Sequence, residues 1–335
     1  MTKNRYPFEP SLDNNDISFF RNIPWKTIDQ KCSEVLGQPS YGIPSVRVGI
    51  CWAMEFLGLS RHKDHILVPQ FLGRCILNAI NRFALPVESP TDKTRLVLVV
   101  DQYGFSQDLK KIHEECVTKG WSYIEDSPYG LGEVEVLGPG SLARFIGLSK
   151  ILPIIQGGCM ISNNPIFINW LKKKREKTSH WSWIIWCLMA LLRSRRKVSS
   201  QSAIAGAAYE LYIEGQGGSK LLRGNMMKAL ELVYELEAEE KRRWEMLEEK
   251  LSPRILIPDL RRLSYAVPFL ENGQSEALEN LFTQEGFDGT SYHVETNRNL
   301  FSPHYKKAFL IPMNPRIKKT NFENLVTGLE RIILE

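Results

Sequence analysis

The sequence predicts an α/β protein in two parts: a large domain on a mostly parallel sheet sandwiched by helices, and a small C-terminal α/β domain. Three observations carry that reading. An unbroken apolar run from Leu96 to Val100 has the composition of a strand buried on both faces. An amphipathic helical pattern over 107–119 and a short apolar strand over 122–124 follow it, which is the rhythm of a βαβ unit. Beyond residue 225 a long helical pattern gives way to strands alternating with helices. A chain of 335 residues is long enough for such a division.

Composition sets the broad class. With 43% hydrophobic and 24% charged residues the chain is globular, neither fibrous nor disordered. The net charge of +5 is local, because residues 172–197 hold nine Lys and Arg against one Glu, leaving the remainder at −3. That argues against a general nucleic-acid surface, and no nucleic-acid partner is expected. Six cysteines (Cys32, Cys51, Cys75, Cys116, Cys159, Cys187) form no CxxC pair and mostly sit in apolar runs. They read as buried free thiols of a reducing cytoplasm, and no metal is called for. The first residues lack the apolar stretch of a signal peptide, so a cytoplasmic protein is expected.

The elements follow in order. Residues 1–40 are polar and Pro-dotted, a segment expected to pack on another domain, with a short helix around 25–36. Turn residues at 41–45 then lead into a helix with Ile50, Ala53, Met54 and Leu57 inward, closed by Gly58. Such a turn-to-helix start is a natural phosphate seat. After the strand at 65–69, a helix over 74–82 places Cys75, Leu77, Ala79 and Ile80 inward. The large domain is expected over 41–224, with a basic, Trp-rich insertion at about 170–197. Within it, the segment 181–192, from Trp181 to Leu192, is too short to span a bilayer, which needs about 20 residues. It reads either as a buried or dimer-contact helix or as a peripheral membrane helix. Gly215 to Gly218 is a loop in the link to the next domain. Over 225–335 come a long helix (225–251) with Glu237–Lys241 and Glu239–Arg243 pairs, strands at 261–269, 292–295 and 308–312, and helices at 275–285 and 321–334. His293 and His304 could touch a substrate, although a histidine at such a place is more often merely solvated.

The stretch 121–164 carries the chemistry. A strand delivers Glu125 and Asp126 at its C-terminal end, the edge where open α/β sheets bind ligands. A second strand delivers Lys150, followed by Gly157, Gly158 and an apolar strand. A lysine and a carboxylate at neighbouring strand ends have a specific use. The amine can form a Schiff base with pyridoxal phosphate while the carboxylate keeps the ring nitrogen protonated. The competing reading is an Asp that caps a turn and a Lys that is merely solvated.

The order "strand, Glu-Asp, small residues, Gly-rich link, strand, Ser-Lys, Gly-Gly, apolar strand" resembles the DegT/DnrJ/StrS sugar aminotransferases, within the fold-type-I pyridoxal phosphate enzymes. The resemblance covers about residues 40–165 well and 225–330 loosely. It implies Lys150 and Asp126 as catalytic residues and pyridoxal phosphate as cofactor. It further implies Arg47 and Val48 at the phosphate, Phe71 and Asp101 at the ring, Tyr129 at the ring hydroxyl, Ser149 near the phosphate, and Asn225 reaching a partner subunit's cofactor. The implied activity is amination of a nucleotide-linked or lipid-linked keto-sugar, with glutamate as donor, in a homodimer. A lipid-linked substrate would suit the membrane reading of segment 181–192. The sequence also departs from the family. No hydroxyl stands at positions 46–48, where Arg47 could equally make a salt bridge at the helix start. Gly73 replaces the stacking aromatic, Phe145 replaces a phosphate-binding Ser, and about two dozen residues are missing after Glu88. These departures keep open a non-catalytic, binding or regulatory relative.

Overall fold

The computed structural model describes residues 23–334 apart from 133–135, 153, 155–156, 177–219, 253, 260–261 and 314–316. The first 22 residues, the Trp-rich segment 181–192 and the loop 215–218 lie outside the described residues. Among the described residues no helix is long and apolar enough to cross a membrane.

A seven-stranded sheet forms the large domain, ordered β1-β8-β7-β5-β4-β2-β3. Its strands are β1 (Tyr41–Ile43), β2 (His65–Leu67), β3 (Leu85–Val87), β4 (Thr94–Val100), β5 (Ser122–Ser127), β7 (Arg144–Gly147) and β8 (Gly158–Ile161). All neighbours from β7 to β3 pair in parallel, and β8 runs antiparallel to both β7 and β1. The predicted mostly parallel sheet is therefore present, with one reversed strand.

Alternation along the strands decides which helix each face receives. Leu96 and Leu98 of β4 join Ile124, Phe145 and Met160 in one core with helices α2 (Val46–Phe56), α3 (Arg74–Ile80) and α5 (Pro165–Arg175). Val97 and Val99 face the other way, onto Ile112 and Cys116 of α4 (Leu109–Lys119). Farther along that face, Ile146 and Ile161 meet α1 (Trp25–Leu36) and α6 (Lys220–Glu231). The N-terminal helix α1 is held by Arg175, which is 2.6 Å from Asp29 and lies 4.8 Å over the Trp25 ring.

The C-terminal part has its own core. An antiparallel sheet ordered β10-β12-β11 (Ala266–Leu270, Tyr305–Pro312, Tyr292–Glu295) packs Phe269 and Phe309 against α7 (Val233–Leu251), α8 (Ser275–Gln284) and α9 (Lys319–Leu334). A ribbon of β6 (Gly130–Leu131) and β9 (Leu263–Ser264) ties this part to the large domain.

Four expectations are corrected. The strand read as 122–124 runs on to Ser127, so Glu125 and Asp126 lie inside it, paired with Arg144 and Phe145 of β7. The single helix over 225–251 is two, broken where the Leu232 N–H turns back to the Ala229 carbonyl in a tight three-residue turn. Within α7, Glu239 pairs with Arg243 at 3.3 Å as expected, but Glu237 pairs with Arg262, which approaches from outside the helix. Cys75 is exposed rather than inward, since the seven-residue α3 buries only Ala79 and Ile80.

Candidate active site

Asp126 sits near the C-terminal end of β5, the middle of three parallel strands, with β4 on one side and β7 on the other. It is 1% exposed, and among the described residues its Oδ1 has no hydrogen-bond partner. Burial, reinforced by the negative charge of Asp101, pushes its carboxyl up to about 8, against the pull of Arg47 and Arg144. A buried acid with an orphaned oxygen is costly unless something cationic or N–H-bearing meets it.

Arg47 comes from the first turn of α2, whose Ser45 cap accepts a hydrogen bond from Val48 N–H at 3.3 Å. The predicted Val48 contact thus already has its backbone N–H engaged, while the half-buried Arg47 lies close enough to act on Asp126 by charge. A helix N-terminus carrying an arginine suits a phosphate.

Lys150 stands three residues beyond β7 in a turn closed by the Leu152 N–H to the Leu148 carbonyl at 2.8 Å. Its Nζ lies 5.4 Å from the Tyr265 ring centroid. Tyr265 tilts against Tyr129 at 5.2 Å, and Tyr129 stacks on Tyr103 at 5.0 Å. Tyr103 follows Asp101 by two residues, and the Asp101 N–H donates to the Asp126 carbonyl at 2.9 Å. A chain of aromatic rings and one backbone hydrogen bond therefore connects the amine to the strand end that carries the acid.

Beside these rings lies a cavity of about 220 Å³, lined among others by Phe71, Val100, Tyr103, Tyr129, Glu295 and Tyr305. Phe71 and Tyr103 both hold left-handed backbone, φ 57° and 53°. Strain of that kind in non-glycine residues concentrates at ligand sites. Phe71 is 57% exposed and stacks on His293 at 4.3 Å, with Tyr305 edge-on at 5.0 Å. It thus reaches across to the small sheet. Ser149 is half-buried next to Lys150. Asn225 is buried inside α6, on the helix that packs against α1, rather than ahead of a helix.

Sequence reasoning missed Arg144, Ser127, Tyr103 and Tyr265. Arg144 is 2% exposed, 2.6 Å from Asp101 and 2.9 Å from Glu125. The one signal for it was a cation inside an otherwise apolar strand. Burial lifts Asp101 and Glu125 above the usual carboxylate range, and Arg144 counters that in both. The donor set fits pyridoxal phosphate: an orphaned buried carboxylate oxygen for a protonated ring nitrogen, a lysine on an aromatic face, and a cationic helix start for a phosphate.

Comparison with known proteins agrees with that fit. Residues 39–332 match a protein family described as "Putative PLP-dependent aminotransferase". Among solved structures, the chain is similar to Helicobacter pylori PseC, an aminotransferase involved in the biosynthesis of pseudoaminic acid, with 14% identity and TM-score 0.63, covering 98% of each chain. It is similar to DesI, solved with its TDP-sugar product, with 11% identity and TM-score 0.64 over 99% of this chain and 93% of that one. It is also similar to a DegT DnrJ EryC1 StrS aminotransferase from Brucella abortus, with 12% identity and TM-score 0.60 over 92% and 89%. These likenesses show the shared fold. No curated protein matches the sequence.

Proposed function

Because the chain belongs to the family of PLP-dependent aminotransferases that it matches over residues 39–332, we propose that it aminates a keto-sugar carried on a nucleotide, with glutamate as amino donor. The observation that carries the site is the buried Asp126 with its orphaned Oδ1. Pyridoxal phosphate, when bound, supplies an electron sink and a temporary carrier for the amino group.

The residues then divide the work. Lys150 would hold the cofactor through its Nζ, and the same amine would take and return the proton at the substrate carbon as general base and acid. Asp126 would hold the ring nitrogen in its protonated form. Arg47 and the start of α2 would hold the phosphate. The Tyr129 hydroxyl is a candidate partner for the ring hydroxyl.

Two features support a sugar substrate. Stacked tyrosines in the cavity, Tyr103 on Tyr129, offer flat apolar surface to a sugar ring. Two neighbours of this fold, PseC and DesI, are described with sugar biosynthesis or a sugar nucleotide. A homodimer belongs to the same proposal and is checked by light scattering. The test of function is incubation with glutamate and a panel of nucleotide keto-sugars, with amino-sugar product and 2-oxoglutarate measured together. Formation of both for one sugar supports the proposal. 2-Oxoglutarate formed only with non-sugar keto acids would refute the sugar assignment.

A further inference from the structure

Three acids, Asp101, Glu125 and Asp126, are buried at 1% exposure on adjacent strands, and one guanidinium from β7 lies among them. Arg144 reaches Glu125 Oε2 at 2.9 Å with one nitrogen and Asp101 Oδ2 at 2.6 Å with the other. The second nitrogen also donates to Ser127 Oγ at 3.2 Å, and that hydroxyl donates to Asp101 Oδ2 at 3.1 Å. Glu125 Oε1 takes the Gly138 N–H at 2.9 Å. Two of the acids are thereby committed to the protein, while Asp126 Oδ1 has no partner among the described residues. Because the Asp101 N–H bonds the Asp126 carbonyl, whatever fixes Asp101 also fixes the strand end that carries the orphaned oxygen.

We propose that Arg144 is a positioning residue for cofactor binding: it binds Asp101, Glu125 and Ser127 so that Asp126 alone remains for the ring nitrogen of pyridoxal phosphate. This rests on the family assignment through the cofactor only and holds whichever keto-substrate is aminated. Without the guanidinium, two buried carboxylates lose their counter-charge and must take up protons or water, and either change loosens the strand end. Three charged groups act on the Asp126 carboxyl: Asp101 from the end of β4, Arg47 from α2 and Arg144 from β7. The two arginines favour its ionised form, but Asp101 opposes it more strongly, so an Arg144 loss that protonates Asp101 makes Asp126 easier to ionise. Asp126 then supplies the ring-nitrogen proton only up to a lower pH before it must be drawn from solvent.

The test is a spectroscopic titration of the apo-protein with pyridoxal phosphate from about pH 6 to about pH 10. It compares wild type, Arg144→Gln, Arg144→Lys and Asp126→Asn, with circular dichroism confirming the fold. Wild-type affinity is expected to fall above about pH 8, where Asp126 ionises. Arg144→Gln should weaken affinity by about tenfold or more and move that midpoint downward, because Asp101 loses the charge that raises Asp126. Arg144→Lys keeps the charge without the fork, and should restore the midpoint but only part of the affinity. A folded Arg144→Gln protein with wild-type affinity, or with weakened affinity and an unmoved midpoint, overturns the positioning role. Should that variant not fold, Ser127→Ala cuts only the hydroxyl link to Asp101 and carries the same two readouts. A several-fold loss with a moved midpoint supports the role, and a wild-type profile overturns it. Wild-type protein that binds no pyridoxal phosphate fails the family assignment itself, whereas Asp126→Asn with wild-type affinity fails the Asp126 assignment before Arg144 is at issue.

Discussion

Asp126 trades stability for binding. Burial and the Asp101 charge push its carboxyl up to about 8 in the folded protein, from an ordinary 3.8. Between those values the folded state holds a proton that the unfolded chain has released. Stability is therefore fully present below about pH 4 and is lost as pH rises toward 8, by up to about 1.4 kcal/mol per pH unit. Asp126→Asn removes that slope. The apo-variant should melt several degrees higher than wild type at pH 8, and the difference should shrink toward pH 5, as read by differential scanning calorimetry. A variant that melts lower at pH 8 would mean Asp126 is paired in the apo-protein. Its catalytic candidacy was legible from its place at a strand end. Its true neighbour was not, because Arg144 lies 18 positions away and meets the acids only through the parallel register of β5 with β7.

The helix α2 shows how an element can be read correctly in outline while its placement stays hidden. Its apolar spacing gave the helix and Gly58 its end, and the structure agrees, with Val46–Phe56 helical and Gly58 at φ 66°. The sequence did not say why Gly49 stands in its first turns. A Cβ there would lie 2.7 Å from the Phe145 ring and 2.9 Å from Ile43, both fully buried, so the glycine lets α2 lie against β7 and β1. Gly49→Ala gains about 1 kcal/mol of helix propensity but meets a ring that cannot retreat. Overpacking of about 1–3 kcal/mol should win. We expect a lower melting temperature and a weaker pyridoxal phosphate affinity, since the start of α2 moves away from Asp126. Equal or higher stability would show that the helix has room to shift. That β5 runs on through Glu125 and Asp126 to Ser127 was not legible for a related reason: the burial of that polar end depends on partners supplied by other strands.

Between the two sheets, the contacts that shape the cavity join residues far apart in sequence, and these were the least legible. Phe71 meets His293 and Tyr305 across more than 200 positions, and Lys150 meets Tyr265 across more than 100. Local patterning placed strands near these residues, while the pairing follows from how the small antiparallel sheet docks. Since Tyr305 lines the cavity, Tyr305→Ala should raise KM for the keto-sugar several-fold and leave pyridoxal phosphate affinity unchanged. An equal loss of cofactor affinity would assign the cavity to the cofactor instead. The central claim, that Lys150 carries the cofactor against Asp126 in a working aminotransferase, is tested most directly by the absorbance spectrum of protein loaded with pyridoxal phosphate, before and after glutamate. The wild type should show a visible band that bleaches to shorter wavelength as 2-oxoglutarate appears, and Lys150→Ala should lack that band. A Lys150→Ala protein with the wild-type band, bleaching at the wild-type rate, would contradict the claim.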